Sequence, residues 1–171
     1  MSLKEGLYRI RYIPAAVDPP FTGGLYAKST EIGEPILAEA PTAESRPQVW
    51  EVHRNQNGKY IITQPGFQSK LAGIGPVLMG WSLSNPSESF PGGKILFKVN
   101  YAELEIEPVG SGDNLKYSLK VPNPEGTHGA GLNIDFFIAE RDHDVVSQAY
   151  WSSLRFSRPH PHWQFIPAET K

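Results

Sequence analysis

Cysteine is absent from all 171 residues. That excludes disulfides, zinc–thiolate centres and thiol nucleophiles, so the roughly 2–4 kcal/mol that a crosslink often contributes must come from packing instead. Also missing are runs of Ala, Leu, Glu and Lys at a 3.6-residue period, the usual mark of helices. No stretch approaches the ~18 consecutive apolar residues of a membrane span, and charges interrupt the opening MSLKEGLYRIRY where a signal peptide needs an apolar core. The expectation is a soluble, cytoplasmic protein with no membrane partner. An excess of positive charge is lacking too: 16 Lys and Arg stand against 18 Asp and Glu, a net charge of -2. Without a basic face the chain has no electrostatic footprint for a phosphate backbone, and nucleic acid is not an expected partner.

What the chain has is turn formers and aromatics: 16 glycines, 16 prolines and 11% Phe, Trp and Tyr, a balance that favours an all-β fold over helices. Its length suits one domain, residues 1–171, large enough to close an apolar core unaided.

Alternation of apolar and polar residues bounded by turn formers marks strands. Three such segments open alike: GLYRIRY from Gly6, GKYIITQ from Gly58 and NLKYSLKV from Asn114. Tyr8, Tyr60 and Tyr117 occupy equivalent places, 52 and then 57 residues apart, each followed two positions on by Ile10, Ile62 or Leu119. Each unit ends in a closing strand: VWEVHR around Trp50, ELEIEP around Leu104 and HWQFIP around Trp163. Short polar links, NQNG at 55–58 and GSGDN at 110–114, join closers to the next openers as hairpin turns do. Between opener and closer lie two further strands per unit: 25–29 and 35–40, then 76–81 and 94–99, then 132–140 and 145–151. Four strands in each of three pseudo-repeats, about 5–54, 58–108 and 114–167, predict a twelve-strand β-trefoil.

Motifs for chemistry are sparse. The serine elbow fails because Gly80-Trp81-Ser82-Leu83 continues with Ser84 instead of glycine. Asp142-His143-Asp144 reads as a polar hairpin tip rather than a fragment of a catalytic triad. His160-Pro161-His162 has two imidazoles at alternate positions but no third ligand at a recognisable spacing. The glycines of 91–94 and 110–113 match no phosphate-binding fingerprint. No catalytic residue, metal site or cofactor is therefore assigned, and the protein is not expected to be an enzyme. Trp50 and Trp163 read as core; Trp81 and Trp151 stay open between core and a stacking platform. Gln48-Val49-Trp50 is a single Q-x-W, the short signature of ricin-type sugar-binding trefoils, which keeps a lectin as the alternative; Gln48 is otherwise expected to satisfy backbone groups near the strand start.

The first half of the chain resembles the mycocypins, the mushroom protease inhibitors that include clitocypin and macrocypin, and the related cocaprins. The resemblance rests on E-G-x-Y (Glu5, Gly6, Tyr8), G-G-x-Y-A (Gly23, Gly24, Tyr26, Ala27), Ala38-Glu39, and W-x-V-x-R-N followed by G-x-Y-x-I (Trp50, Val52, Arg54, Asn55, Gly58, Tyr60, Ile62). It covers roughly residues 5–63, with Trp163 to Phe165 matching at the end. It implies a β-trefoil that blocks papain-like cysteine proteases with the loop between strands one and two, assisted by the loop between strands three and four. By position these are Pro14 to Gly24, with Pro19, Pro20, Phe21, Thr22, Gly23 and Gly24 at its end, and Pro41 to Pro47, carrying Thr42, Ala43, Glu44, Ser45 and Arg46.

Proline restrains such a loop before contact, and glycine lets its backbone approach a cleft closely. Phe21 is then the apolar anchor, or, on the alternative reading, folds back onto the barrel mouth. As an exposed loop change free of any positive-φ constraint, Gly24→Trp is expected to weaken papain inhibition while leaving stability within about 1 kcal/mol. In the family a third loop, between strands five and six, presents asparagine to legumain or a basic residue to trypsin. The loop here, 64–76, has no asparagine; Gln68, Ser69, Lys70 and Leu71 are the candidate contacts with a second, trypsin-like protease. Cocaprins also act on aspartic proteases, which stay a candidate partner without assigned residues. The protein is expected to be monomeric.

Overall fold

The computed structural model describes residues 2–15, 23–44, 46–71, 75–83, 93–122, 128–129, 132–153 and 159–168. The described residues form strands joined by turns, with two three-residue 3₁₀ turns at Arg46–Gln48 and Gly112–Asn114. The strands are β1 (Gly6–Ile13), β2 (Tyr26–Lys28), β3 (Leu37–Glu39), β4 (Trp50–Arg54), β5 (Tyr60–Leu71), β6 (Gly75–Leu83) and β7 (Gly93–Lys98). They continue with β8 (Glu105–Val109), β9 (Lys116–Val121), β10 (His128–Gly129), β11 (Leu132–Arg141), β12 (Asp144–Ser153) and β13 (His162–Pro167). All twelve expected strands are present, and the two-residue β10, paired with β11, adds to them. The expected strands at 25–29 and 35–40 shrink to three residues each, because Arg11↔Tyr26 and Asp144↔Leu37 are the single registered pairs that β2 and β3 make outside their own hairpin.

Six strands close on themselves. β1 pairs with β13 and β4, β4 with β5, and β8 with β9, which pairs with β13; Tyr60 of β5 bridges to Leu104 just before β8. Following these antiparallel pairs leads from β1 back to β1, a barrel that leaves few sheet edges open. The pairing repeats threefold. Tyr8 lies opposite Trp50 and Pro167, Tyr60 opposite Leu104 and Arg54, and Tyr117 opposite Trp163 and Pro108. In each case one partner is the closing strand's apolar anchor and the other lies four residues beyond such an anchor. The repeat read from the tyrosine spacing is thus a repeat of register.

Alternation sends Tyr8, Ile10, Trp50, Val52, Tyr60, Ile62, Leu104, Ile106, Tyr117, Leu119, Trp163 and Phe165 inward, and all are buried. Trp50 and Trp163 donate their indole N–H groups to the carbonyls of Ala27 and Ile138, both at 2.9 Å. The second unit has the smaller Leu104 at this place. Trp81 of β6 is fully buried and contributes a third indole, edge-on to Trp50 at 5.8 Å and to Trp163 at 6.1 Å. Such perpendicular aromatic pairs are favourable beyond their buried area. At the end where β1 begins, the Tyr8 and Tyr60 hydroxyls donate to the carbonyls of Lys4 and Leu3, and Leu3 is buried.

Hairpins β2–β3, β6–β7 and β11–β12 are stitched together at the barrel's end: β12 pairs with both β3 and β7, and Pro35 bridges to Leu96. The tip at Asp142 and His143 is a two-residue turn with φ of 50° and 68°, the primed geometry that matches strand twist. Its His143 carbonyl accepts from the Ala38 amide at 2.8 Å, so RDHD is a hairpin tip as expected, docked on β3. No helix among the described residues is long and apolar enough to cross a membrane.

Candidate functional site: two loops on one hairpin

β2 and β3 pair through Tyr26↔Glu39, Ala27↔Ala38 and Lys28↔Leu37. Because Tyr26 begins β2 and Glu39 ends β3, the loop arriving at Tyr26 and the loop leaving Glu39 meet at one end of one hairpin. These are the two loops the sequence singled out. Residues 16–22, with Pro19, Pro20, Phe21 and Thr22, lie outside the described residues, as does Ser45. Around them, Pro14 and Ala15 are exposed, and Gly23 is exposed where the loop returns.

The return is held from below by Arg11 of β1, which is buried yet charged. Its guanidinium donates to the Gly23 carbonyl, and also approaches Gln164 Oε1 at 3.5 Å. Gly23 and Gly24 adopt φ of 78° and 111°. A Cβ on Gly24 would come within 2.6 Å of Arg11 Nε, whereas one on Gly23 would meet nothing within 4 Å. The expectation that Gly24 is a freely replaceable loop position is therefore corrected. Its backbone lies in the left-handed region and its vacant side-chain space is filled by a buried arginine.

The second loop is anchored by Gln48, which is fully buried. Its amide donates to the Ala40 carbonyl at 3.0 Å, and its Oε1 accepts from the Thr42 amide at 3.2 Å and from the Arg9 guanidinium at 3.2 Å. Leaving a buried polar group unpartnered costs about 1–3 kcal/mol, so the buried amide fixes this part of the loop. Gln48 thus satisfies backbone groups, as expected from the sequence, but they belong to the loop leaving β3 and not to the start of β4. Thr42 Oγ1 donates to the Glu44 carbonyl at 2.7 Å, closing a local turn that leaves Ala43 and Glu44 exposed. Arg46 begins the 3₁₀ turn that brings Pro47 against β2, where the Pro47 carbonyl accepts from the Ser29 amide at 2.9 Å. Below it, the buried Ser29 hydroxyl donates to Gln64 Oε1 at 2.6 Å.

Arg9 and Arg11 alternate on the face of β1 opposite Tyr8 and Ile10, and they are the site residues that sequence reasoning missed. The signal was present: the places of Arg9 and Arg11 hold Ile61 and Thr63 in the second repeat and Ser118 and Lys120 in the third. A pair of arginines there breaks the repeat in the one unit that carries both loops.

The segment expected as a third loop, 64–76, is strand along most of its length. Gln68, Ser69, Lys70 and Leu71 belong to β5 and pair with Leu78, Val77, Pro76 and Gly75 of β6. Between Thr63↔Gly80 and Gln68↔Leu78 the chain takes five steps along β5 and two along β6, a bulge that contains Pro65 and Gly66. Proline lacks a ladder donor and is tolerated in a sheet at such an irregularity, so the Q-P-G that looked like a loop marks a bulge inside a hairpin arm. The turn itself, 72–74, lies outside the described residues.

The remaining candidates have structural surroundings. Trp50 is fully buried, with no face open to a ligand, and Trp81 is core; the Trp151 side chain lies outside the described residues. His160 stacks on Phe137 at 3.9 Å and 11°, with Tyr150 at 6.3 Å and His162 at 4.7 Å. Burial keeps its imidazole below the usual histidine pKa, against the pull of Asp135 and with the push of Lys116 and Lys120. Among the described residues, no group of three or more His, Asp or Glu is placed to hold a metal ion.

No family model matches the chain. Among curated proteins it is similar to clitocypins of the fungus Clitocybe nebularis. Clitocypin-2 is 30% identical over 122 residues, 70% of this chain and 64% of that protein. Clitocypin is 30% identical over 121 residues, 70% of this chain and 65% of that protein, and Clitocypin-4/-3 is 35% identical over 69 residues, 40% and 45% of the two. The matched stretch thus spans between 45% and 65% of these relatives' length. In backbone, the Rhizoctonia solani agglutinin crystal structure is similar, with a TM-score of 0.55 over 98% of this chain and 99% of that one at 10% identity, a likeness of fold alone. An all-β barrel bearing the clitocypin-like motifs of its first repeat, the chain is a homologue of the clitocypins, in the mycocypin-like family of fungal protease inhibitors.

Proposed function

We propose that the protein is a β-trefoil, built of repeats of about residues 5–54, 58–108 and 114–167 within one domain, and that it inhibits papain-like cysteine proteases by reversible occlusion of the active-site cleft. The observation that carries this reading is that the end of the first loop and the start of the second come together at Tyr26↔Glu39, with Gly23 held by the buried Arg11 and Thr42 by the buried Gln48. Occlusion by a preformed surface needs no nucleophile, cofactor or metal. It requires loops whose ordering cost, about 1–2 kcal/mol per residue for a free backbone, has been met in folding. A protease–inhibitor interface of ordinary size buries about 800 Å² per partner, within reach of two neighbouring loops. The β5–β6 arm, with Lys70 one pair from its last registered pair Leu71↔Gly75, is the proposed contact for a second, trypsin-like protease.

The alternative is carbohydrate binding, favoured by the backbone likeness to an agglutinin. Against it stand the complete burial of Trp50 and the commitment of the Gln48 side chain to loop and arginine contacts. Titration of papain, legumain, trypsin and pepsin with the purified protein, alongside a glycan array, separates the two. Papain inhibition without glycan binding is expected. Glycan binding with no protease inhibited overturns the proposal.

A further inference from the structure

A continuous line of contacts crosses β1 from the second loop to Tyr26, where β2 takes up the chain returning from the first loop. The Thr42 amide and Ala40 carbonyl of the second loop meet Gln48; Gln48 Oε1 meets the Arg9 guanidinium; and the Arg9 guanidinium carbon lies over the Tyr26 ring, 4.5 Å from its centroid. Tyr26 is the first residue of β2, two positions beyond Gly24, and the residue before it, Leu25, accepts the Tyr12 amide at 2.8 Å.

From this geometry we infer that Arg9 and Gln48 are positioning residues that couple the two loops, so that displacing one alters the other. Gln48 is fully buried and Tyr26 nearly so, and both flank the arginine. A planar guanidinium can stack on a ring and donate an in-plane hydrogen bond at the same time, which the ammonium of lysine does not reproduce. In the other repeats Ile61 and Ser118 stand at the place of Arg9. Neither can make both contacts, and the coupling is specific to the loop-bearing unit. The inference deepens the proposed inhibitory role of these loops and rests on it for its consequence in binding, but the coupling itself is a property of the free protein.

The experiment uses the full chain with Arg9→Met, Gln48→Met and the double variant, and Arg9→Lys as the milder change should Arg9→Met fail to fold. In the free protein, amide exchange read by NMR should accelerate at Thr42 in Arg9→Met, although its direct acceptor Gln48 is untouched, while Ile10 and Leu119 in the barrel keep their protection. Papain affinity should fall about tenfold in each single variant, and by no more than about tenfold in the double, because members of one unit are not additive. Arg9→Lys should restore only part of the loss. Unchanged exchange at Thr42 in Arg9→Met, or losses that multiply in the double variant, overturns the coupling. If no protease is inhibited by the unaltered protein, the inhibitory reading fails, and Thr42 exchange still decides whether the loops are coupled.

Discussion

The indole N–H of Trp50 donates to the carbonyl of Ala27 at 2.9 Å, tying the closing strand of the first repeat to the hairpin that carries both candidate loops. Trp163 makes the equivalent bond to Ile138 in the third repeat, at the same distance. Trp81, although as deeply buried, has no hydrogen-bond partner for its indole nitrogen among the described residues. Trp50→Phe therefore loses volume and orphans a buried carbonyl, whereas Trp81→Phe loses volume only. We expect Trp50→Phe to be the more destabilising by about 1 kcal/mol, read as the difference in urea midpoints at equal slope.

Gly24→Ala should cost about 1–3 kcal/mol, from backbone strain at positive φ together with the clash against Arg11. Gly23→Ala meets open space and should cost about 1–2 kcal/mol, from backbone strain alone. Thermal denaturation of the two variants side by side checks the order; equal costs would show that Arg11 yields without penalty.

On the second loop, Ala43 is exposed at a locally closed turn. Ala43→Trp should leave stability within about 0.5 kcal/mol and weaken papain binding at least about tenfold if this turn enters the cleft. Paired calorimetry and inhibition titration read both quantities on one preparation. Unaltered inhibition would remove the second loop from the interface.

His160 is held neutral by burial against Phe137, so its folded pKa lies below the ordinary 6.5. A lowered histidine pKa means that the unfolded chain binds the proton first on acidification. Its contribution to stability is present above about pH 6.5 and is lost as pH falls from there toward the folded value. His160→Phe retains a ring on Phe137 and abolishes the titration. Its stability should change less than that of the unaltered protein between about pH 7 and 5.

Glu105 of β8 links β9 to the residue that precedes β5. It accepts a hydrogen bond from Lys59 and lies 3.3 Å from Lys120, and the Lys59 hydrogen bond is the chief cause of its depressed carboxyl pKa. The sign is that of a stabilised carboxylate: the contribution is full above the ordinary value of 4.5 and vanishes as pH drops through the lower folded value. Glu105→Gln should lower stability at pH 7 and flatten the acid limb of the pH–stability curve below about pH 4.5, as followed by chemical denaturation.

Much of the barrel was legible because its signals are local. A tyrosine with an aliphatic residue two positions on declares an inward face, and three such pairs at near-equal spacing declare three equivalent strands. The bulge at Pro65 is disguised for a local reason as well. Q-P-G has the composition of a loop, and only pairing with β6 on its far side makes it an interruption within a strand. Arg9 and Arg11 are hard to single out because polar residues on the outer face of a strand ordinarily face water, and nothing nearby in sequence shows that Gln48, Tyr26 and Gly23 will meet them.

The all-β character, the threefold register of Tyr8, Tyr60 and Tyr117 with their closing strands, and the likeness to the clitocypins are all written in the order of residues along the chain. These depend on alternation and on short motifs, both carried by neighbouring residues. That Trp81 completes a core left short by Leu104, that Arg11 occupies the space beside Gly24, and that Gln48 and Arg9 connect Thr42 to Tyr26 could emerge in the folded molecule alone. Each of those depends on side chains tens of residues apart being brought within a few ångströms, a distance fixed when the barrel closes and not before.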